Sequence, residues 1–156
     1  MRKIFILLVL GLTICSCGAS RHSASNTSFF VTENGVAGLG TATSQNERNA
    51  TSIAVRLARA HLIEGINSVL NSIDQSIGIE DGTHVEHLLR DSKIVNKDLK
   101  ISKDNFTVTA VVELSKASIT EWADNYYNNL PDGDPLHKIS KEEFIHLLHK
   151  SLNTNN

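Results

Sequence analysis

One long amphipathic segment, from Ser44 to Ile77, constrains this chain more than any other feature of its sequence. Its apolar residues recur at steps of three and four, which is the period of one face of a helix. They are Ala50, Ala54, Ala58, Leu62, Ile66, Val69, Ile73 and Ile77. The opposite face is polar and only Ile63 interrupts it: Arg48, Ser52, Arg56, Arg59, Asn67, Asn71 and Gln75. Two faces separated in this way predict a helix that lies along another layer of structure.

The two halves of this apolar face differ in size. Alanines fill the first half and allow a close approach to a partner backbone, as on a β-sheet, whereas bulky aliphatic residues fill the second. Gly65 lies between them and costs about 1 kcal/mol relative to alanine in a helix, so we expect close packing or a bend there. Ser44 and Glu47 have the spacing of a capping box, which predicts the start of the helix.

The clearest strand signal is a hairpin formed by Lys93–Ser102 and Asn105–Ser115. Polar turn residues join the two strands, and apolar residues alternate along each of them. On one side of the first strand lie Val95, Leu99 and Ile101; on the second strand the alternating residues are Phe106, Val108, Ala110, Val112 and Leu114. The other face of the second strand mixes threonine with valine and glutamate, so we expect one sheet face against the helix and one largely open to water.

The remaining segments complete an α+β fold. Phe29–Val31 is a candidate first strand, and Val36–Ala42 is a second one that contains two glycines. Two further capping boxes, at Ser118 with Glu121 and at Ser140 with Glu143, predict two C-terminal helices. The predicted architecture is therefore a long amphipathic helix packed on one face of a small, mainly antiparallel sheet, followed by two helices.

The N-terminus has the pattern of a targeting segment. Arg2 and Lys3 precede an apolar run that is too short for a stable transmembrane helix. The run ends in Ile-Cys-Ser-Cys-Gly, which resembles a bacterial lipobox with Cys17 as the lipidated residue. Cys17 fits because the small Ser16 precedes it. The resemblance implies cleavage before Cys17 and permanent attachment through several acyl chains; an ordinary secretory signal is the alternative.

These features divide the chain into four parts: a lipoprotein signal peptide at 1–16, the lipidated cysteine and a flexible tether at 17–28, a single α+β domain at 29–152, and a polar tail at 153–156. Cleavage would leave 13 basic against 17 acidic side chains, a formal charge of −4, which argues against nucleic acid as a partner. Only one cysteine would remain, so a packed core and not a disulfide must stabilise the domain.

No residue pattern predicts catalysis, and we expect neither an enzyme nor a cofactor. The histidines offer one alternative, since His146 and His149 are three apart on the last predicted helix with His137 upstream. Zinc requires three or four ligands, usually with carboxylates or cysteines among them, so solvated or partly buried histidines are the favoured interpretation. Likewise, Trp122, Tyr126 and Tyr127 fit a ligand-stacking platform, but at helical spacing we expect them to pack on a sheet edge.

A pattern-level resemblance covers roughly residues 36–118. It consists of Gly38-Leu39-Gly40-Thr41-Ala42, then Ala50, Ala54, Ala58 and Leu62, then a hairpin that ends in Val111-Val112-Glu113-Leu114. Together with the N-terminus, this order is similar to the Lpp-twenty-like bacterial lipoprotein family and to the N-terminal domain of flagellar assembly protein T. The resemblance implies an envelope module that acts by binding partners, and it assigns no functional residue.

The sequence therefore predicts a lipid-anchored protein of a bacterial cell envelope, held at the outer membrane and facing the periplasm. It would act as a non-catalytic binding or assembly module, with an envelope protein or a second copy of itself as partner. We expect the edge of the hairpin at Asn105–Ser115 to accept an added strand. The alternative function is a small-ligand or metal-ion carrier that uses the region of His137, His146 and His149. A carrier predicts a concave apolar pocket, whereas a binding module predicts an exposed apolar patch or an open sheet edge.

Overall fold

The computed structural model of this protein describes residues 28–77 and 85–154, with the backbone alone at 77, 86 and 87. In this part of the chain the strands are β1 (Phe29–Val31), β2 (Gly35–Ser44), β3 (Lys93–Ser102) and β4 (Asn105–Ser115). The α-helices are α1 (Glu47–Ile77), α2 (Lys116–Asn128) and α3 (Lys141–Thr154), and short 3-10 helices span Glu86–Asp91 and Pro135–Lys138. The predicted α+β class is confirmed.

The strands form one antiparallel sheet in the order β1-β2-β4-β3. The predicted hairpin is confirmed, since β3 pairs with β4 from the turn at Ser102 and Asn105 to Lys93 and Glu113. β2 pairs with β4 along its whole length, whereas β1 pairs with only the first few residues of β2. β4 therefore lies inside the sheet, and β1 and β3 form its two edges.

α1 packs mainly on β2 and β4, and its alanine half touches the glycines of β2. A Cβ atom at Gly38 would collide with the carbonyl oxygen of Ala58, and a Cβ atom at Gly40 would collide with that of Ala54. The predicted apolar face of α1 is buried from Ala50 to Ile73. Small side chains on both elements thus bring the helix backbone against the strand backbone.

The second half of α1 belongs to a larger core in which all three α-helices meet. Leu62, Ile66 and Leu70 pack there with residues of α2 and α3, of which Phe144 and Leu148 are almost fully buried. Of the two alternatives predicted for Gly65, close packing is the one observed, because a Cβ atom there would collide with the ring of Phe29. α1 continues past this contact as a single helix of 31 residues.

Two of the three predicted capping boxes are displaced. Asn46, and not Ser44, caps α1: its side-chain oxygen accepts from the N–H of Asn49 at 3.2 Å. α2 begins three residues earlier than predicted, because the hydroxyl of Ser115 accepts from the N–H of Ser118 at 3.1 Å. The third prediction is right about its cap, since the hydroxyl of Ser140 accepts from the N–H of Glu143 at 3.2 Å.

The alternation predicted for β3 is wrong at one residue. The register shifts between Ile94 and Asn96, so Val95 lies in a β-bulge. Ile94, opposite the buried Val112, therefore shares the α1 side of the sheet with Leu99 and Ile101, in place of Val95. Near the other end of the chain, α3 continues to Thr154, two residues into the segment predicted as a polar tail.

Candidate functional site

β3 exposes apolar side chains along an edge of the sheet. None of its ten residues is buried, and only Leu99 is half-buried. Ile94, Val95 and Ile101 are 51%, 52% and 67% exposed. Among residues 28–77 and 85–154 no strand pairs with the outer side of β3, so backbone donors and acceptors are available there. The sequence placed strand addition at the edge of Asn105–Ser115, but that strand is β4, which lies inside the sheet, and the open edge of the hairpin is β3 instead.

The same strand carries a concentration of positive charge. Lys93, Lys97 and Lys100 lie on β3 against one acid, Asp98. The Nζ atom of Lys97 lies 4.0 Å from a carboxylate oxygen of Glu47, an exposed contact of a kind that contributes little to stability. Lysines and a bulge on an edge strand disfavour indiscriminate pairing with other chains. The positive charge of the lysines favours an added segment that carries acidic side chains.

The face of the sheet that is turned away from α1 is lined by threonines, as predicted for a half-solvated surface. Thr41 and Thr109 are joined by a hydrogen bond of 3.0 Å between their hydroxyls, and Thr43 and Thr107 by one of 2.9 Å. Each of these pairs is directly opposite across β2 and β4. The four hydroxyls satisfy one another, so these threonines are not a set of unpaired polar groups that would mark a site.

A cleft of about 530 Å³ forms a second candidate site. Its wall is built by α2, by the 3-10 helix Glu86–Asp91 and by the turn before the second 3-10 helix. The rings of Trp122 and Tyr126 stack with centroids 5.3 Å apart and an interplanar angle of 15°. Leu88, Leu130 and Pro131 complete the apolar part of the lining.

The polar part of this lining is acidic. Asp91, Glu121 and Asp134 contribute carboxylates, and the other polar lining residues are two asparagines and a serine. Asp74, on α1, is 6% exposed, and its Oδ2 atom has no hydrogen-bond partner among the described residues. Burial, and to a smaller extent the charge of Asp134, raise the pKa of Asp74. Acidic side chains are therefore crowded at this end of the molecule.

The structure does not bring the three candidate histidines together. Nε2 of His149 lies 2.8 Å from the hydroxyl of Thr120, and burial together with the charges of Lys116 and His146 lowers the pKa of His149. His137 instead packs edge-on against Tyr127, with ring centroids 5.4 Å apart. In the described part of the chain no group of three or more His, Cys, Asp or Glu side chains is placed to hold a metal ion.

The aromatic residues of α2 do not pack on a sheet edge as predicted. Tyr126 and Tyr127 both pack against Phe144 of α3, with centroids 6.2 and 6.3 Å apart. The hydroxyl of Tyr127 donates to the carbonyl oxygen of Ile139 at 2.7 Å, which fixes the approach to α3. Trp122 and Tyr126 thus pack against the hydrophobic core on one side and line the cleft on the other.

Comparison with known proteins identifies no family for this chain: no protein-family model, no curated protein and no solved structure matches it. Across residues 28–77 and 85–154, no helix has the length and apolarity needed to cross a bilayer. Cys17 and the predicted tether up to residue 27 lie outside the described residues. The resemblance to the Lpp-twenty-like family and the lipid anchor both remain predictions.

Sequence reasoning considered a ligand-stacking platform at Trp122, Tyr126 and Tyr127 but disfavoured it, and it did not foresee the cleft. Its lining comes from three separate segments, and in none of them do the residues form a motif. Two signals were present, however. The chain has a single tryptophan, on a helix whose exposed residues include Glu121, and a Pro-Asp-Gly-Asp-Pro turn follows at residues 131–135. Only the tertiary packing shows that the tryptophan and the acidic turn face one another.

Proposed function

We propose that this protein is a lipid-anchored, non-catalytic module of a bacterial cell envelope that binds a partner protein at the free edge of β3. One observation carries the proposal: a ten-residue edge strand lies outside the cover of α1 and exposes three large apolar side chains. Addition of an extended segment to such an edge provides main-chain hydrogen bonds for affinity and side-chain contacts for specificity. The opposite edge, β1, has only three residues.

The chemistry of β3 supports a partner segment with apolar and acidic side chains in alternation. Ile94, Leu99 and Ile101 lie on one face of the strand and offer contacts to apolar side chains of an added strand. The lysines of β3 attract carboxylates, and they increase the rate of encounter with an acidic segment. A second copy of β3 would instead place three lysines of each copy against one another, so a different protein fits this edge better than self-association does.

The lipid anchor is part of the proposal and rests on the sequence around Cys17. Two or more acyl chains suffice for stable membrane attachment, since each buried CH₂ contributes about 0.8 kcal/mol. We expect Cys17→Ala to remain unlipidated and to leave the membrane fraction for the soluble one. A membrane fraction that this substitution does not change would contradict the anchor and leave the proposal for β3 intact.

Affinity capture of the lipidated protein from its native envelope, with mass spectrometry of the bound proteins, tests the role of β3. We expect a reproducible partner that is lost from the variant Ile94→Glu/Ile101→Glu, because negative charges would repel an acidic segment and remove apolar contacts. The matched control is Leu57→Glu on α1, a residue that is also apolar and 38% exposed. The control should retain the partner. Equal capture by all three proteins would refute binding at β3.

A further inference from the structure

The cleft at Trp122 combines an apolar interior with an acidic rim, and this combination selects a class of ligand that β3 does not address. We propose that the cleft binds a small organic cation, that is, an ammonium group carried on an apolar body. The apolar body would lie against Trp122 and Tyr126, and the ammonium group would lie among the carboxylates of the rim. This site is independent of the proposed protein-binding edge.

The size and lining of the cleft fit a small molecule. Its volume of about 530 Å³ falls within the range of about 300–1,000 Å³ that is common for ligand sites. The aromatic stack supplies a rigid apolar wall, and Leu88 and Leu130 extend it. A few polar groups around such a wall are the usual arrangement for orienting a ligand.

The charge of the lining favours a cation. Three of its side chains are carboxylates, those of Asp91, Glu121 and Asp134, and no lysine or arginine contributes to the lining among the described residues. A ligand ammonium group would offset this charge, and it would also be attracted by the face of an indole ring within about 6 Å. A neutral sugar could stack on the same rings, but it would leave the carboxylates uncompensated.

Asp74 is a further acid near the rim whose hydrogen bonding is incomplete. Its carboxylate is buried, and one of its oxygens lacks a hydrogen-bond partner within the part of the chain that the structure describes. Asp134, which interacts electrostatically with Asp74, also lines the cleft. A cation held at Asp134 would therefore reduce repulsion between these two acids as well as bind to the rim.

The single tryptophan of the chain makes binding directly measurable, because Trp122 lies in the site and all indole fluorescence comes from it. The probe is 2-phenylethylammonium, and its neutral counterpart of nearly equal shape is 2-phenylethanol. We expect the cation to change the Trp122 emission in a saturable manner and to bind at least about tenfold more tightly than the alcohol, a difference of about 1.4 kcal/mol. The difference should shrink with added salt.

Matched double variants separate the rim charge from the charge of the whole protein. Asp91→Asn/Glu121→Gln should weaken binding of the cation by about three- to tenfold and leave binding of the alcohol unchanged. The control, Glu142→Gln/Glu143→Gln, removes two exposed acids of α3 that do not line the cleft, and it should bind the cation as the wild type does. Trp122→Leu, measured by calorimetry, should weaken both probes.

Two results would overturn the proposal. Equal affinity for the cation and the alcohol would mean that the cleft is an apolar cavity without charge selectivity. Absence of any saturable change at 10 mM of the cation, about the weakest affinity that a specific site of this size would show, would mean that the cleft is not a site for this class of ligand. Neither result bears on the β3 edge, which the capture experiment tests separately.

Discussion

β3 and β4 are neighbours in one hairpin, have nearly equal lengths and both carry alternating apolar residues, yet their environments are opposite. Every second residue of β4 from Val108 to Leu114 is fully buried, and these residues form part of both core clusters. β3 has no buried residue, and Ile101, opposite Phe106 of β4, is 67% exposed. The difference does not come from the pairing of the two strands, which continues along the whole hairpin.

The position of α1 explains the difference. An α-helix with its side chains is about 10–12 Å wide, and strands of a sheet are about 4.8 Å apart, so one helix covers about two strands. α1 lies over β2 and β4, the two central strands. β3 is the next strand outward. Leu99 is half-buried against the cluster that contains Ala50 and Ala54 of α1, whereas Ile94, Val95 and Ile101 remain exposed. Alternation in a strand therefore indicates which face is apolar, whereas the layer above decides whether that face is buried.

The largest difference in stability should come from placing a charge in the core under α1 in one variant and on the exposed β3 in another. Ile66→Asp would bury an unpaired carboxylate between α1 and the helical core, and we expect it to prevent folding. Ile101→Asp places the same charge on the exposed strand, and we expect a folded protein with a melting temperature close to that of the wild type. Circular dichroism during heating measures both variants. A folded Ile66→Asp variant would place that face of α1 in solvent and contradict the contrast drawn between the core and β3.

Two truncations to alanine, at residues that face each other across the hairpin, compare the free energy of packing on β4 with that on β3. Val112→Ala removes two buried methyl groups and leaves a cavity, so we expect a loss of about 2 kcal/mol in the free energy of unfolding. Ile94, directly opposite on β3, is 51% exposed, and Ile94→Ala should change the free energy by at most about 0.5 kcal/mol. Urea unfolding measures both values. Equal losses at the two positions would show that β3 is covered in solution.

The smallest effect concerns two aspartates, one in the core and one on β3. Because burial and Asp134 raise the pKa of Asp74, the folded state holds its proton more tightly than the unfolded state does. Between about pH 3.9, where an aspartate of the unfolded chain ionises, and the raised pKa of Asp74 in the folded protein, this residue makes the protein less stable as the pH rises. Asp74→Asn should therefore raise the melting temperature at pH 7 and make it less dependent on pH. Asp98→Asn, on the exposed strand, should leave the melting temperature at pH 7 unchanged.

The pattern of the sequence predicted the elements that depend on local periodicity. The α1 face from Ala50 to Ile73 and both strands of the hairpin follow directly from steps of three and four or of two. The caps at Asn46 and Ser115 were missed because several polar residues near each helix start can accept the same backbone N–H group. Local chemistry alone does not choose between them.

The features that escaped prediction depend on contacts between distant segments. The bulge at Val95 is a property of the pairing with β4, and the exposure of β3 is a property of the position of α1. The cleft joins Trp122 to acids from two other segments. Conversely, the three candidate histidines do not converge, because His149 lies against Thr120 of α2 and His137 packs on Tyr127. Function at Cys17 stays a prediction from the lipobox.

The most direct test of the central claim, that β3 is the surface that binds a partner, is photo-crosslinking in the native envelope. A photoreactive phenylalanine analogue is placed at position 101 of β3 in one version of the lipidated protein, and at position 56, on the exposed face of α1, in another. If β3 binds a partner, irradiation of the first version gives a discrete protein adduct and irradiation of the second gives none. Adducts from position 56 without any from position 101, or no adduct from either, would contradict it.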